Sequence, residues 1–209
     1  MADFPEDIYT EPEIDPDTLR NLGPLAALAG TWEGKRGVDR HPESYGPLEE
    51  PYVERIVCDP IDPQTNGPQL YYGLRYHVHI TRPTEKKMFH DQVGYWLWEP
   101  ATGTVIQTLA IPRGQTALAI GRASATATSF ELVATRGATG NGICSGPFLE
   151  EAFTTLEYRI RVTTGTAGSW SYEEDTIMQV RGLAQPFHHT DRNTLTRVAV
   201  AKPNPLMRS

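Results

Sequence analysis

The sequence predicts an all-β fold: one antiparallel up-and-down β-barrel of about ten strands, with a short N-terminal helix and an acidic N-terminal arm. Three observations carry this. Tyr72, Leu74, Tyr76, Val78 and Ile80 alternate with Gly73, Arg75, His77 and His79, which gives one apolar and one polar face at a period of two. Short strand-like segments joined by short turns recur down the chain, with no long amphipathic helix between them, the pattern of a sandwich or barrel. Gly30, Gly34, Gly37, Gly73, Gly94, Gly114 and Gly121 fall in or beside strands. Strand glycine marks bulges, barrel corners and close backbone approach, which suits a tightly curved sheet.

Residues 1–21 read as an arm. Asp3, Glu6, Asp7, Glu11, Glu13, Asp15 and Asp17 repel one another, and Pro5, Pro12 and Pro16 break regular structure. Phe4, Tyr9 and Ile14 are its apolar points of attachment to a barrel surface. A short helix is expected at Pro24–Ala29, because proline suits a first helical turn and Gly30 a stop. Thr31-Trp32-Glu33-Gly34 gives the first strand signal. Strands are then expected at residues 72–80, 88–98, 104–111, 117–122, 129–135, 152–162 and 169–180. Pro100-Ala101-Thr102-Gly103 forms a hairpin turn between two of them. A last strand is expected from about Asn193 to Ala201, after a turn that holds Pro186, His188 and His189. The barrel thus occupies residues 22–201, and residues 202–209 form a tail. A barrel of eight to ten strands leaves room for one small ligand.

Bulk properties narrow the function. The 209 residues are 39% hydrophobic and 22% charged, values that suit a globular protein, and the formal charge is -7 with a pI of about 5.4. An acidic surface without a run of Lys and Arg makes nucleic acid a poor partner. No apolar stretch approaches the roughly 20 residues of a membrane span, and the acidic N-terminus has no apolar signal core. A cytoplasmic protein with a small-molecule ligand is expected. Cys58 and Cys144 stand in no metal or redox motif and read as buried free thiols.

Six histidines supply the candidate ligands. His77 and His79 share one strand face, the arrangement a cupin-like metal site uses, but Glu85 lies beyond Pro83 and the apolar residues claim the inside. His90 opens a strand and is read either as a satisfied strand histidine or as a pocket-lining group. His188 and His189 lie where a rim turn can aim an imidazole inward, since neutral imidazole is a good iron ligand; the alternative is a solvent-facing pair beside Asp191. Trp96 and Trp98 share a face and Tyr95 takes the other.

Several of these residues resemble the nitrobindin family of haem-binding barrels, which are shaped like lipocalins and fatty-acid-binding proteins. Gly30-Thr31-Trp32-Glu33-Gly34-Lys35-Arg36-Gly37 is similar to the family's Gly-x-Trp-x-Gly-x-Gly signature, with the last glycine one residue late. Pro24-Leu25-Ala26-Ala27-Leu28 looks like its leader helix, and His90-Asp91-Gln92-Val93-Gly94-Tyr95 like its histidine strand. Ala110, Gly114 and Gly121, Trp170-Ser171-Tyr172, and the turn from Pro186 to His189 extend the likeness over residues 22–200. The resemblance implies a ten-stranded barrel with haem b near one open end and its iron on a histidine near the last turn. It implies nitric oxide binding and isomerisation of peroxynitrite to nitrate. Carried onto this chain, it makes His189 the metal ligand, with His188 the alternative, and Trp32, His90 and Tyr95 residues around the cofactor. Counting from Pro186 or from Leu195 places Thr190 at the family's ligand position. Without a working ligand, the same barrel is a non-catalytic carrier of a fatty acid or other small apolar molecule.

Overall fold

The computed structural model describes residues 6–85, 87–165 and 168–208. Phe4, one of the arm's expected attachment points, lies outside them. The elements are α1 (Thr18–Asn21), a 3-10 helix (Gly23–Leu28), β1 (Gly30–Glu43), β2 (Gly46–Pro60), β3 (Gln64–Asn66), β4 (Gln69–Thr81), β5 (Met88–Glu99), β6 (Thr104–Ile111), β7 (Gln115–Arg122), β8 (Ser129–Thr135), β9 (Ile143–Ser145), α2 (Pro147–Ala152), β10 (Phe153–Thr164), β11 (Ser169–Val180), β12 (Phe187–Ala199) and a C-terminal 3-10 turn (Pro205–Arg208). Ten strands pair antiparallel in a ring that closes between β2 and β4, while β3 and β9 are short additions on β4 and β7. The sheet is therefore a closed barrel, which removes the open edges that otherwise invite strand addition.

The alternation on β4 is borne out. Tyr72, Leu74, Tyr76, Val78 and Ile80 are buried, and His77 and His79 point outward. Trp96 and Trp98 are buried, while Tyr95 on the opposite face is 42% exposed. The expected leader helix is a 3-10 helix. It drives Leu22, Leu25 and Leu28 into one end of the barrel, against Trp32, whose Nε1 donates to the Leu28 carbonyl at 2.7 Å. Four fully buried side chains thus plug that end.

The arm is tied to the same end, but not through Tyr9 and Ile14, which are 86% and 44% exposed. The Thr18 amide donates to Asn204 Oδ1 at 3.2 Å and the Thr18 hydroxyl to the Ile61 carbonyl at 2.6 Å. Asn204 in turn donates to the Pro16 carbonyl and to Asp62 Oδ1. These bonds satisfy polar groups that burial would otherwise leave costly.

Four expectations need correction. β2 gave no strand signal, because Pro47, Pro51 and Pro60 and the pair Glu49-Glu50 mask it; proline removes a ladder donor yet still fits where its missing N–H is not needed. The last strand begins at Phe187, six residues before Asn193, so His188 and His189 stand on β12 and not in a turn. The polar residues there pair with both β11 and β1, and this pairing outweighs their weak strand propensity. A second short helix, α2, interrupts the strands. Cys58 is buried, but Cys144 is exposed, because β9 is a three-residue addition at the barrel's edge.

Two signature glycines make room for interior side chains. A Cβ on Gly34 would lie 2.2 Å from Asn193 Nδ2, and one on Gly37 would lie 2.2 Å from the Tyr52 ring. Tyr52 is fully buried and its hydroxyl is bonded to that of Tyr172 at 2.7 Å, so its ring has nowhere to go. Gly37→Ala should therefore destabilise the fold by roughly 1–3 kcal/mol, the usual penalty for overpacking. Gly140→Ala, at a position with nothing within 4 Å, should stay within about 0.5 kcal/mol of the parent. Denaturant unfolding of both variants checks the contrast.

Candidate functional site

The end of the barrel opposite the plug opens into a cavity of about 490 Å³, within the range of small-molecule sites. It is reached from the C-terminal halves of β1, β4 and β11 and the N-terminal halves of β2, β5, β10 and β12, which all meet at this end. Ile56, Val78, Ile80, Trp96, Leu109 and Ile160 form much of its apolar wall.

Strand parity decides which candidates reach it. On β12, Phe187, His189, Asp191, Asn193 and Leu195 take one face, and His189 and Asp191 line the cavity. Thr190 pairs with Asp175 and Arg40, whereas His189 stands opposite Thr176, another cavity residue. The residue at the counted ligand position thus has the opposite parity, and the imidazole one residue earlier points in. His188 points out, its side chain 55% exposed and its Nδ1 2.7 Å from Asp175 Oδ2. It does not reach the cavity. Nor do two further expected residues: Trp32 belongs to the plug, and Tyr95 faces away because residues 94, 96 and 98 define the inward parity of β5. His90 does line the cavity. Burial, followed by the charge of Arg113, pushes its pKa down, which favours a neutral ring. His77 pairs outside the barrel with Asp91 at 2.9 Å, so the cupin-like pair is on the wrong surface for an interior metal.

His189 enters a compact group of side chains. Its Nε2 lies 2.8 Å from Asp39 Oδ1 and 3.4 Å from Asp191 Oδ2. The other oxygen of Asp39 contacts His41 Nδ1 at 2.8 Å. Burial alone would lower the His189 pKa, but the hydrogen bond to Asp39 and the charges of Asp191 and Asp39 outweigh it and raise the pKa. Burial would likewise raise that of Asp39, but the two imidazoles bring it below the ordinary carboxylate value. Asp191 is the residue that crowding disfavours, with a pKa pushed up to about 7 by burial and by Glu174 and Asp39.

Deeper in, two carboxylates face the cavity on a floor of hydrogen-bonded aromatics. Glu54 Oε2 accepts from the Tyr172 hydroxyl at 2.8 Å and from Asn193 Nδ2 at 2.9 Å. Glu174 Oε1 accepts from the Tyr158 hydroxyl at 2.9 Å. The Tyr76 hydroxyl accepts from Gln92 and donates to the Thr108 carbonyl. Among the described residues, the lining guanidinium groups are those of Arg82 and Arg113, at the rim, where Arg82 pairs with Glu50 and Arg113 bonds the Phe89 carbonyl.

These acids were missed in the sequence. A signal existed: Glu54 falls between Tyr52 and Ile56, and Glu174 follows Tyr172 by two, so each shares the parity of a buried aromatic.

Among the described residues no helix is long and apolar enough to cross a membrane. A family model described as the THAP4-like, heme-binding beta-barrel domain matches residues 21–197. The chain is similar to a solved structure, the crystal structure of Rv2717c from M. tuberculosis. The two are 26% identical, the likeness covers 88% of this chain and 99% of that one, and the TM-score is 0.60. No curated protein sequence matches the chain.

The floor has a consequence for stability. Burial raises the Glu54 pKa from 4.5 to about 7, against the smaller lowering by Tyr172 and Asn193. The unfolded chain releases this proton near pH 4.5 and the folded chain holds it to about pH 7. The folded state therefore binds more protons between those values, and stability falls as pH rises through that window. The fall is roughly 3 kcal/mol at most. In Glu54→Gln, which keeps an acceptor for Tyr172 and Asn193, melting temperatures should decline less between pH 5 and 7 and lie several degrees above the parent at about pH 8. An unchanged slope would show that Glu54 ionises freely.

Proposed function

The chain belongs to the THAP4-like, heme-binding beta-barrel domain family, that of nitrobindin, and from that premise we propose that it holds haem b in the open end of the barrel with His189 as axial ligand, binds nitric oxide there and isomerises peroxynitrite to nitrate. Haem b is the cofactor of this family. The observation that carries the reading is the inward imidazole of His189 on the last strand, within an otherwise largely apolar cavity open at that end.

The donor set fits a haem. His189 has one ring nitrogen on Asp39, and Nδ1 has no hydrogen-bond partner among the described residues. A carboxylate that takes one ring N–H fixes the tautomer and raises the basicity of the other nitrogen, as the outer partners of metal-bound histidine do. Asp39 would play that part. Ile56, Val78, Ile80 and Leu109 would keep water from the group, and Arg113 and Arg82 would offer positive charge at the rim for its carboxylates. Neutral His90 adds a polar group to the wall without adding charge. Ferric haem, when bound, supplies the chemistry that converts peroxynitrite. The protein contributes access, an apolar wall and the tuning of the axial imidazole. The cytoplasm is the proposed setting, supported by two free cysteines.

The carrier reading meets an obstacle in the floor. Above about pH 7, where Glu54 and Glu174 ionise, a fatty-acid carboxylate lying deep in the barrel would face both, with no cation between them among the described residues.

Hemin titrated into the purified protein should give a saturable Soret band. His189→Ala should abolish that band, or weaken hemin binding by roughly 10-fold or more. His188→Ala, at an outward-facing position, should leave it intact. Stopped-flow decay of peroxynitrite, with nitrate as the assayed product, should accelerate only in the hemin-loaded parent and His188→Ala proteins. Equal hemin binding by parent and His189→Ala would remove His189 from the role.

A further inference from the structure

We propose that Asp39, His189 and Asp191 form a divalent-cation site of zinc type at the mouth of the barrel, competing with haem because the cation would take His189 Nε2 from the hydrogen bond with Asp39 that prepares Nδ1 for iron. The inference does not depend on haem binding and goes beyond it.

Geometry comes first. One donor atom from each of the three side chains lies within 4.8 Å of the others. Tetrahedral zinc with bonds of about 2.0–2.1 Å holds its donors roughly 3.3–3.5 Å apart. The separations of 2.8 Å (Asp39 to His189) and 3.4 Å (Asp191 to His189) need only small adjustment to reach that spacing. An imidazole with two carboxylates is a donor set that zinc and related first-row cations accept. Three protein ligands leave a fourth position for water or a substrate, and all three side chains line the cavity.

The surroundings supply independent support. The Asp191 carboxylate accepts no hydrogen bond among the described residues; its polar contact is the one at 3.4 Å to His189. A half-buried carboxylate without a donor is costly unless a cation or water satisfies it. His41 grips the second oxygen of Asp39 at 2.8 Å and so orients the first toward His189, the kind of outer contact that steadies metal-bound carboxylates. Glu54 and Glu174 line the same cavity and add negative charge to it above about pH 7. The cluster also spans the pairing of β1 with β12, where Asp39 stands directly opposite Asp191. A cation there would tie the two strands together across the barrel mouth.

The test is calorimetric titration of zinc chloride into the full chain isolated without added haem, with a hemin titration run in parallel. One zinc per chain is expected, with binding weakened at least 100-fold in Asp191→Asn and unchanged in His77→Ala, whose imidazole pairs with Asp91 outside the barrel. Zinc at saturation should shift the hemin midpoint of the parent at least 10-fold. This second readout needs no variant to fold. Absence of saturable zinc binding, or equal binding by parent and Asp191→Asn, overturns the site. Hemin binding without zinc binding overturns it and leaves the haem reading standing. Zinc binding without hemin binding supports it and removes the haem reading.

Discussion

The constraint on which the interior depends is the burial of four carboxyl groups in one cavity. Asp39, Glu54, Glu174 and Asp191 all face one cavity, and the two arginines stand at its rim. Burying an ionised carboxylate is expensive unless it is paired or hydrogen-bonded. The barrel meets that cost in two ways at two depths. At the floor it uses neutral donors: Tyr172 and Asn193 on Glu54, Tyr158 on Glu174. Those acids respond by keeping their protons, each with a pKa of about 7. At the mouth it uses imidazoles: His189 and His41 clasp the two oxygens of Asp39. The floor is thus close to neutral below pH 7, and the mouth is the charged layer.

This layering bears on what the cavity accepts. A flat, mostly apolar molecule with its own acids at one edge can present that edge to Arg82 and Arg113 while its body lies against Ile56, Val78 and Leu109. A ligand with a buried anionic head is opposed by the floor above about pH 7, where Glu54 and Glu174 ionise. The same layering explains why the aromatic floor is hydroxylated. Tyr76, Tyr158 and Tyr172 bring large apolar rings to the core, and their hydroxyls serve the acids and amides there, with Tyr52 bonded to the Tyr172 hydroxyl behind them.

Much of the fold is legible in the sequence, and the illegible parts have physical causes. The alternation from Tyr72 to Ile80 is readable because that strand faces the core on one side only. The glycines at 30, 34 and 37 are readable because close approach admits no side chain at those positions. β2 is hidden because local propensity and burial disagree: Pro51 and Glu54 lie in a strand that closes the barrel through pairing with β1 and β4. The interior acids are hidden because a buried Glu looks like a surface residue until its partners are known, and those of Glu54 lie more than a hundred residues away. His189 shows the same limit. Whether it or Thr190 points inward depends on register, and register is set by pairing with β1 and β11, not by the count from Pro186.

The late glycine of the signature and the early histidine of the last strand belong together. Between Glu33 and Val38, β1 carries one residue more than β12 opposite it, and the same extra residue appears against β2 between Gly34 and Gly37. This is a bulge, and a bulge reverses the inward parity of the residues beyond it. Before it, Trp32 and Gly34 face inward; after it, Gly37, Asp39 and His41 do. Without the extra residue, Asp39 and His41 would point to solvent, and His189 would have no carboxylate to rest on. The bulge at Lys35 and Arg36 is therefore what brings acid and imidazole together at the mouth, and the one-residue delay of Gly37 is its trace in the sequence.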